Sequence, residues 1–247
     1  MMRPIVRLGL AHAAGNAILL WLGYYWLGTG ESQPIALAWS LLVALVAVCY
    51  GCWLYGGALA YFAGKDPSMT RAFRDSARNL LPIVAAAAAA LLLYFALAKW
   101  AAYSPNPAFR IASFLTLKIR KPVKPSSIQV ILQAALWAAR WVAVPVLLLP
   151  MFAAICLRGW RGFAGFGALA RRPLYWVATP LLLVCSLWLP FRLLGWTPRG
   201  RFGFELASFV LRAMVAYLLF VAGWLALAFF SSGGRPRWSQ PKTVVSP

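Results

Sequence analysis

Four polar side chains stand inside or at the edge of segments that are otherwise apolar: Gln133, Arg140, Glu205 and Arg212. Gln129, Gln133 and Arg140 follow one another at spacings of four and seven, so on a helix they share one face. Glu205, Ser208 and Arg212, at spacings of three and four, do the same. A charge inside a bilayer costs about 2.5–3.5 kcal/mol on insertion scales, so each of these ions needs a partner. Two kinds of chemistry fit. The polar faces can lock helices together, with Gln133, Arg140, Glu205 and Arg212 predicted in one polar layer between the fourth and sixth apolar segments. Alternatively, the arginines can hold an anionic ligand, as in a transporter or channel for an anionic solute. A third reading is a lipid-modifying enzyme with Glu205 as its acid or base, since Glu205 alone among the acids borders an apolar segment with a basic partner.

Other site chemistries find little support. His12 is the single histidine, and the acids are Glu31, Asp66, Asp75 and Glu205. Zinc-protease, nucleophile-elbow and phosphate-loop motifs do not occur, and no catalytic residue, metal or cofactor is expected. Cys49 and Cys52 form a C-x-x-C, but inside an apolar run, where cysteines behave as small buried hydrophobes. Gly9, His12 and Asn16 share a helix face suited to packing on a neighbour, with His12 expected to be hydrogen-bonded there.

The elements that position these residues follow from composition. The chain has 247 residues, 63% of them hydrophobic and only 11% charged. Soluble domains carry roughly 25% charged residues, so lipid must cover most of this surface. The expected fold is an all-α polytopic bundle of six spans, near 5–27, 35–62, 80–98, 128–156, 174–196 and 205–230, forming one membrane domain with a basic, disordered tail from 231. A five-span alternative omits the alanine-rich 80–98 segment. Ser126 with Gln129 reads as a capping box, and Pro145 and Pro150 should kink the fourth span. Gly56, Ala60 and Gly64 form a small-residue face for close helix contact.

The connections carry the charge. With 24 basic residues against 4 acids, the net charge is +20, and the basic residues lie mostly between apolar spans. Anionic lipid headgroups, not nucleic acid, are the natural partner; a membrane-protein partner or a second copy is also accommodated. Asp66–Pro67 reads as a helix start, with Arg71, Arg74 and Arg78 on one face of the surface helix that follows and Arg71 paired to Asp75. Arg158, Arg161, Arg171 and Arg172 alternate with Trp160, Phe163 and Phe166, which recur every three residues among glycines. These seven arginines are the expected headgroup contacts. Between 115 and 120 the apolar residues alternate with polar ones, which predicts an extended segment. The basic bias favours both termini on the cytoplasmic side of a bacterial inner membrane. The leading expectation is a non-enzymatic membrane protein that interacts with anionic lipids or a membrane partner.

Overall fold

The computed structural model describes residues 4–30, 32–66, 68–196 and 200–233. Among these there are helices and no strands: α1 (Pro4–Leu27), α2 (Pro34–Ala63), α3 (Met69–Arg78), α4 (Leu80–Tyr103), α5 (Pro105–Ile119), α6 (Pro125–Ala138), α7 (Val144–Arg158), α8 (Pro173–Leu183), α9 (Leu189–Gly195) and α10 (Phe202–Ser231). A five-residue π turn joins α6 to α7 at Ala139–Ala143, and another joins α8 to α9 at Val184–Trp188. Six of the resulting rods are long and apolar enough to cross a membrane. The protein is a multi-pass integral membrane protein.

One buried cluster fixes how the rods run. It takes Leu8 from the start of α1, Ala58 to Phe62 from the end of α2, Ile83 and Ala86 from the start of α4, Ile155 and Cys156 from the end of α7, and Ala228 from the end of α10. Starts of odd-numbered spans meet ends of even-numbered ones, the pattern of an up-and-down bundle. The alanine-rich α4 takes full part, running from this cluster to Tyr94, whose hydroxyl donates to the Arg140 carbonyl at 2.8 Å.

Glycine sets how close the elements come at this end. A Cβ at Gly56 would stand 2.5 Å from Ser76 Oγ, and one at Gly57 2.7 Å from the Phe73 ring. α3 therefore lies directly on the backbone of α2, with Ser76 donating to the Trp53 carbonyl and Trp53 to that of Phe73. Gly64, placed in sequence on the same small-residue face, instead ends the helix in an extended conformation.

The fourth span ends in a reversal. Gly159 takes φ 58°, beyond the reach of most side chains, and Gly159–Gly165 returns along α7 as a 3-10 helix. At about 2.0 Å per residue this return climbs about 12 Å, the rise of α-helix from Arg158 back to Pro150 at about 1.5 Å each. The contacts agree: a Cβ at Gly162 would sit 2.3 Å from Ile155 N, and the Gly167 N–H reaches the Leu147 carbonyl at 3.1 Å. The three-residue recurrence of Trp160, Phe163 and Phe166 is the period of a 3-10 helix, whose i and i+3 side chains eclipse. The Trp160 and Phe163 rings stack at 5.9 Å.

Several local expectations are corrected. Residues 115–119 belong to α5, not to an extended strand, and Arg120 ends the helix in the left-handed region. Proline at its first turn starts the helix, and its residues pack on α6 in a helical hairpin closed by the Val123 N–H donating to Thr116 Oγ1. Ser126 is not a cap. Lys124 occupies that position without a side-chain bond, because Pro125 starts the helix one residue before Ser126 and a lysine ammonium has no acceptor to offer the first-turn N–H groups. Ser68 caps α3, accepting from the Arg71 N–H, and Arg71 pairs with Asp66 in place of Asp75. Pro67, Arg3, Arg199 and the tail from 234 lie outside the described residues. α7 continues through Pro150. Pro145 and Pro190 each follow a π turn, whose wider winding moves the preceding carbonyls away from a ring that cannot donate to them and would clash with them.

Gly162→Ala is expected to lower stability by about 1–3 kcal/mol or more, because its methyl meets fixed backbone. Gly203→Ala, in the open first turn of α10 with nothing within 4 Å, is expected to be neutral or slightly stabilising. Thermal aggregation of both variants in detergent checks this; equal midpoints would contradict the folded-back segment.

Candidate functional site

The structure separates the four polar residues. Gln133 is exposed on α6. Arg140 sits half-buried in the first π turn, beside Tyr94, and its Nε has no hydrogen-bond partner among the described residues. α10 packs on α1, α2, α7, α8, α9 and the second π turn, and no hydrogen bond or ion pair joins any two of Gln133, Arg140, Glu205 and Arg212.

Arg212 is 8% exposed and is held by backbone. Its Nε donates to the Ser208 carbonyl at 3.1 Å, and its Nη1 to those of Leu193 at 3.0 Å and Leu194 at 3.5 Å. Those last two belong to the final turn of α9, where carbonyls have no intrahelical donor and the helix dipole is negative. The guanidinium also lies over the Trp196 ring at 5.7 Å. A helix end thus supplies the counter-charge that the sequence offered only as Glu205. Glu205 is exposed in the first turn of α10, where Oε1 accepts from the Gly200 N–H at 3.2 Å. It closes the turn that enters α10.

A second polar set lies deeper. Asn16 Nδ2 donates to the His12 carbonyl at 2.8 Å, Tyr55 OH donates to Asn16 Oδ1 at 2.5 Å, and Tyr217 OH donates to the Ala13 carbonyl. His12 is fully buried, and its ring nitrogens have no partner among the described residues, unlike the hydrogen-bonded ring expected from sequence. The shared face of Gly9, His12 and Asn16 was the one signal for this set; the two tyrosines had none. Beside it a cavity of about 540 Å³ opens between the first, fifth and sixth spans, lined by Asn16, Tyr55, Ser186 and Tyr217 among apolar side chains. A further apolar cavity of about 560 Å³ lies between the two π turns, walled by Trp137, Trp141 and Trp188.

The seven arginines assigned to headgroups are all exposed. In α3, Ala72 and Ser76 are buried while Arg71, Arg74 and Arg78 point away. Arg71 and Arg158 border one polar cavity of about 380 Å³ with Lys65, Asp66 and Asp75. Arg172 Nη1 donates to the Gly233 carbonyl at 3.0 Å, tying the start of the fifth span to the end of the sixth. Cys49, Cys52, Cys156 and Cys185 are free thiols. Comparison with protein-family models, curated proteins and solved structures finds no match to this chain.

Arg212→Met is expected to strand the Leu193 and Leu194 carbonyls and to destabilise by about 1–3 kcal/mol for each group left unsatisfied. Glu205→Gln should stay near wild type, since an amide oxygen can accept from the Gly200 N–H as well. Thermal midpoints in detergent decide this; a large loss for Glu205→Gln would restore the polar-layer reading.

Proposed function

We propose that the protein is a non-enzymatic membrane protein that gathers anionic lipid headgroups at the end of the bundle bearing α3 and the 159–172 connection. The observation that carries this reading is the exposure of Arg71, Arg74, Arg78, Arg158, Arg161, Arg171 and Arg172 around one core, with Arg71 alone of the seven in an ion pair among the described residues. Each Lys or Arg near an anionic surface adds about 1 kcal/mol of attraction, screened over roughly 8–10 Å of salt solution. α3 suits the boundary: its buried face grips α2 and its arginines face outward. The same basic excess favours the cytoplasmic side for this end and for both termini.

The rivals fare less well on position. The cavities between spans are walled mainly by apolar side chains, which suits lipid better than a conducted anion. Glu205 holds the turn that enters its helix through the Gly200 N–H, and its hydrogen bond among the described residues is to backbone and not to a second titratable group, which disfavours an enzyme built on it.

The test is lipid composition. Protein extracted with its surrounding lipids into polymer discs should be enriched in phosphatidylglycerol over the parent membrane. The triple change Arg71→Gln, Arg74→Gln, Arg78→Gln should remove a large part of that enrichment. Discs that match the bulk membrane for both proteins would overturn the reading.

A further inference from the structure

We infer that the groove between the first, fifth and sixth spans is a single-lipid site, holding one acyl chain of an anionic phospholipid whose phosphate meets Arg212. This site lies toward the opposite end of the bundle from the seven arginines and does not depend on them.

The groove is long and opens sideways. Its main cavity is bordered by Leu20, Phe191 and Phe209, which are 65%, 74% and 50% exposed. A second cavity of about 210 Å³ shares Tyr55, Ser186, Leu187 and Phe220 with the first and continues to Trp224 and Leu227. From Phe209 to Leu227, α10 rises about 27 Å at 1.5 Å per residue, nearly the roughly 30 Å hydrocarbon thickness. A trough of that length beside the hydrocarbon fits a chain, not a small solute. The second π turn forms one wall, and it approaches α10 so closely that a Cβ at Gly223 would stand 2.2 Å from Ser186 Cβ. The groove is thus bounded by fixed backbone.

Charge selects the head. Arg212 sits between two lining residues of its own helix, Phe209 and Ala213, and donates to the carbonyl of a third, Leu194. Nε and Nη1 carry its hydrogen bonds; Nη2 carries none among the described residues, which leaves two N–H donors. Arg192 and Arg201 are exposed on the elements flanking this mouth; the acid found on those elements among the described residues is Glu205, which is engaged with Gly200. An oxyanion at Arg212 gains charge-assisted hydrogen bonds that a neutral group cannot supply. At the far end the Trp224 Nε1–H is buried without a partner among the described residues.

Native mass spectrometry from nanodiscs of equal phosphatidylglycerol and phosphatidylcholine tests this. After activation strips loosely held lipid, the wild type should retain one phosphatidylglycerol. Ala213→Trp, which fills the groove without touching the guanidinium's bonds, should reduce that retention about tenfold or more. Arg212→Gln should cut the preference for phosphatidylglycerol by about tenfold, the worth of a hydrogen bond to a charged group. The Arg71, Arg74, Arg78 triple variant should keep the lipid, whatever becomes of the headgroup reading above. Unchanged retention in Ala213→Trp, equal retention of the two lipids by wild type, or loss in the triple variant would each overturn the site.

Discussion

Helices in lipid gain nothing from hydrophobic contact with one another, since the tails they displace are as apolar as leucine. What holds this bundle is therefore how near its backbones approach, and most of the near approaches gather at one end, with Gly223 against Ser186 at the second π turn as the exception. Gly56 and Gly57 let α3 lie against α2, and Gly162 lets the return segment lie against α7. The Ser76 and Trp53 hydrogen bonds and the Ile155 and Cys156 core sit at those contacts. Toward the other end the spans are separated by cavities, and large side chains such as Phe191 and Leu218 face outward.

Prolines shape that looser half. Lipid offers no water to a backbone group that loses its partner. Pro145 and Pro190 each disrupt a helix within a span, and in each case a π turn just before the ring absorbs the fault. The two turns line one cavity through Trp141 and Trp188. The C-terminal carbonyls of α9 raise the same problem in a different form, and Arg212 answers it. Its charge is a cost to the membrane that becomes a connection between the fifth and sixth spans.

The sequence was most legible where one physical cause acts alone. Apolar length was enough to find six spans, because crossing a bilayer needs little else. The arginine face of α3 followed from helical spacing, whereas the three-residue aromatic recurrence at Trp160, Phe163 and Phe166 reads in sequence only as an interfacial pattern and not as the 3-10 return that it accompanies. It was least legible where backbone does the work. Arg212 was assigned a carboxylate partner because side chains can be read from sequence, whereas the carbonyls of Leu193 and Leu194 become acceptors only when α9 ends beside them. The alternation at 115–120 was real, but Pro105 starts a helix that carries on to Ile119. The capping box at Ser126 was displaced for the same reason, a proline one residue earlier.

The central claim is that backbone proximity at Gly57 holds the core end together. A double-mutant cycle between Gly57→Ala and Phe73→Ala measures it directly, since the added methyl would meet the Phe73 ring at 2.7 Å. Each single change should lower the thermal stability of the detergent-solubilised protein. Together they should cost less than the sum, by a coupling of about 0.5–3 kcal/mol, because removing the ring makes room for the methyl. Strict additivity would contradict the account.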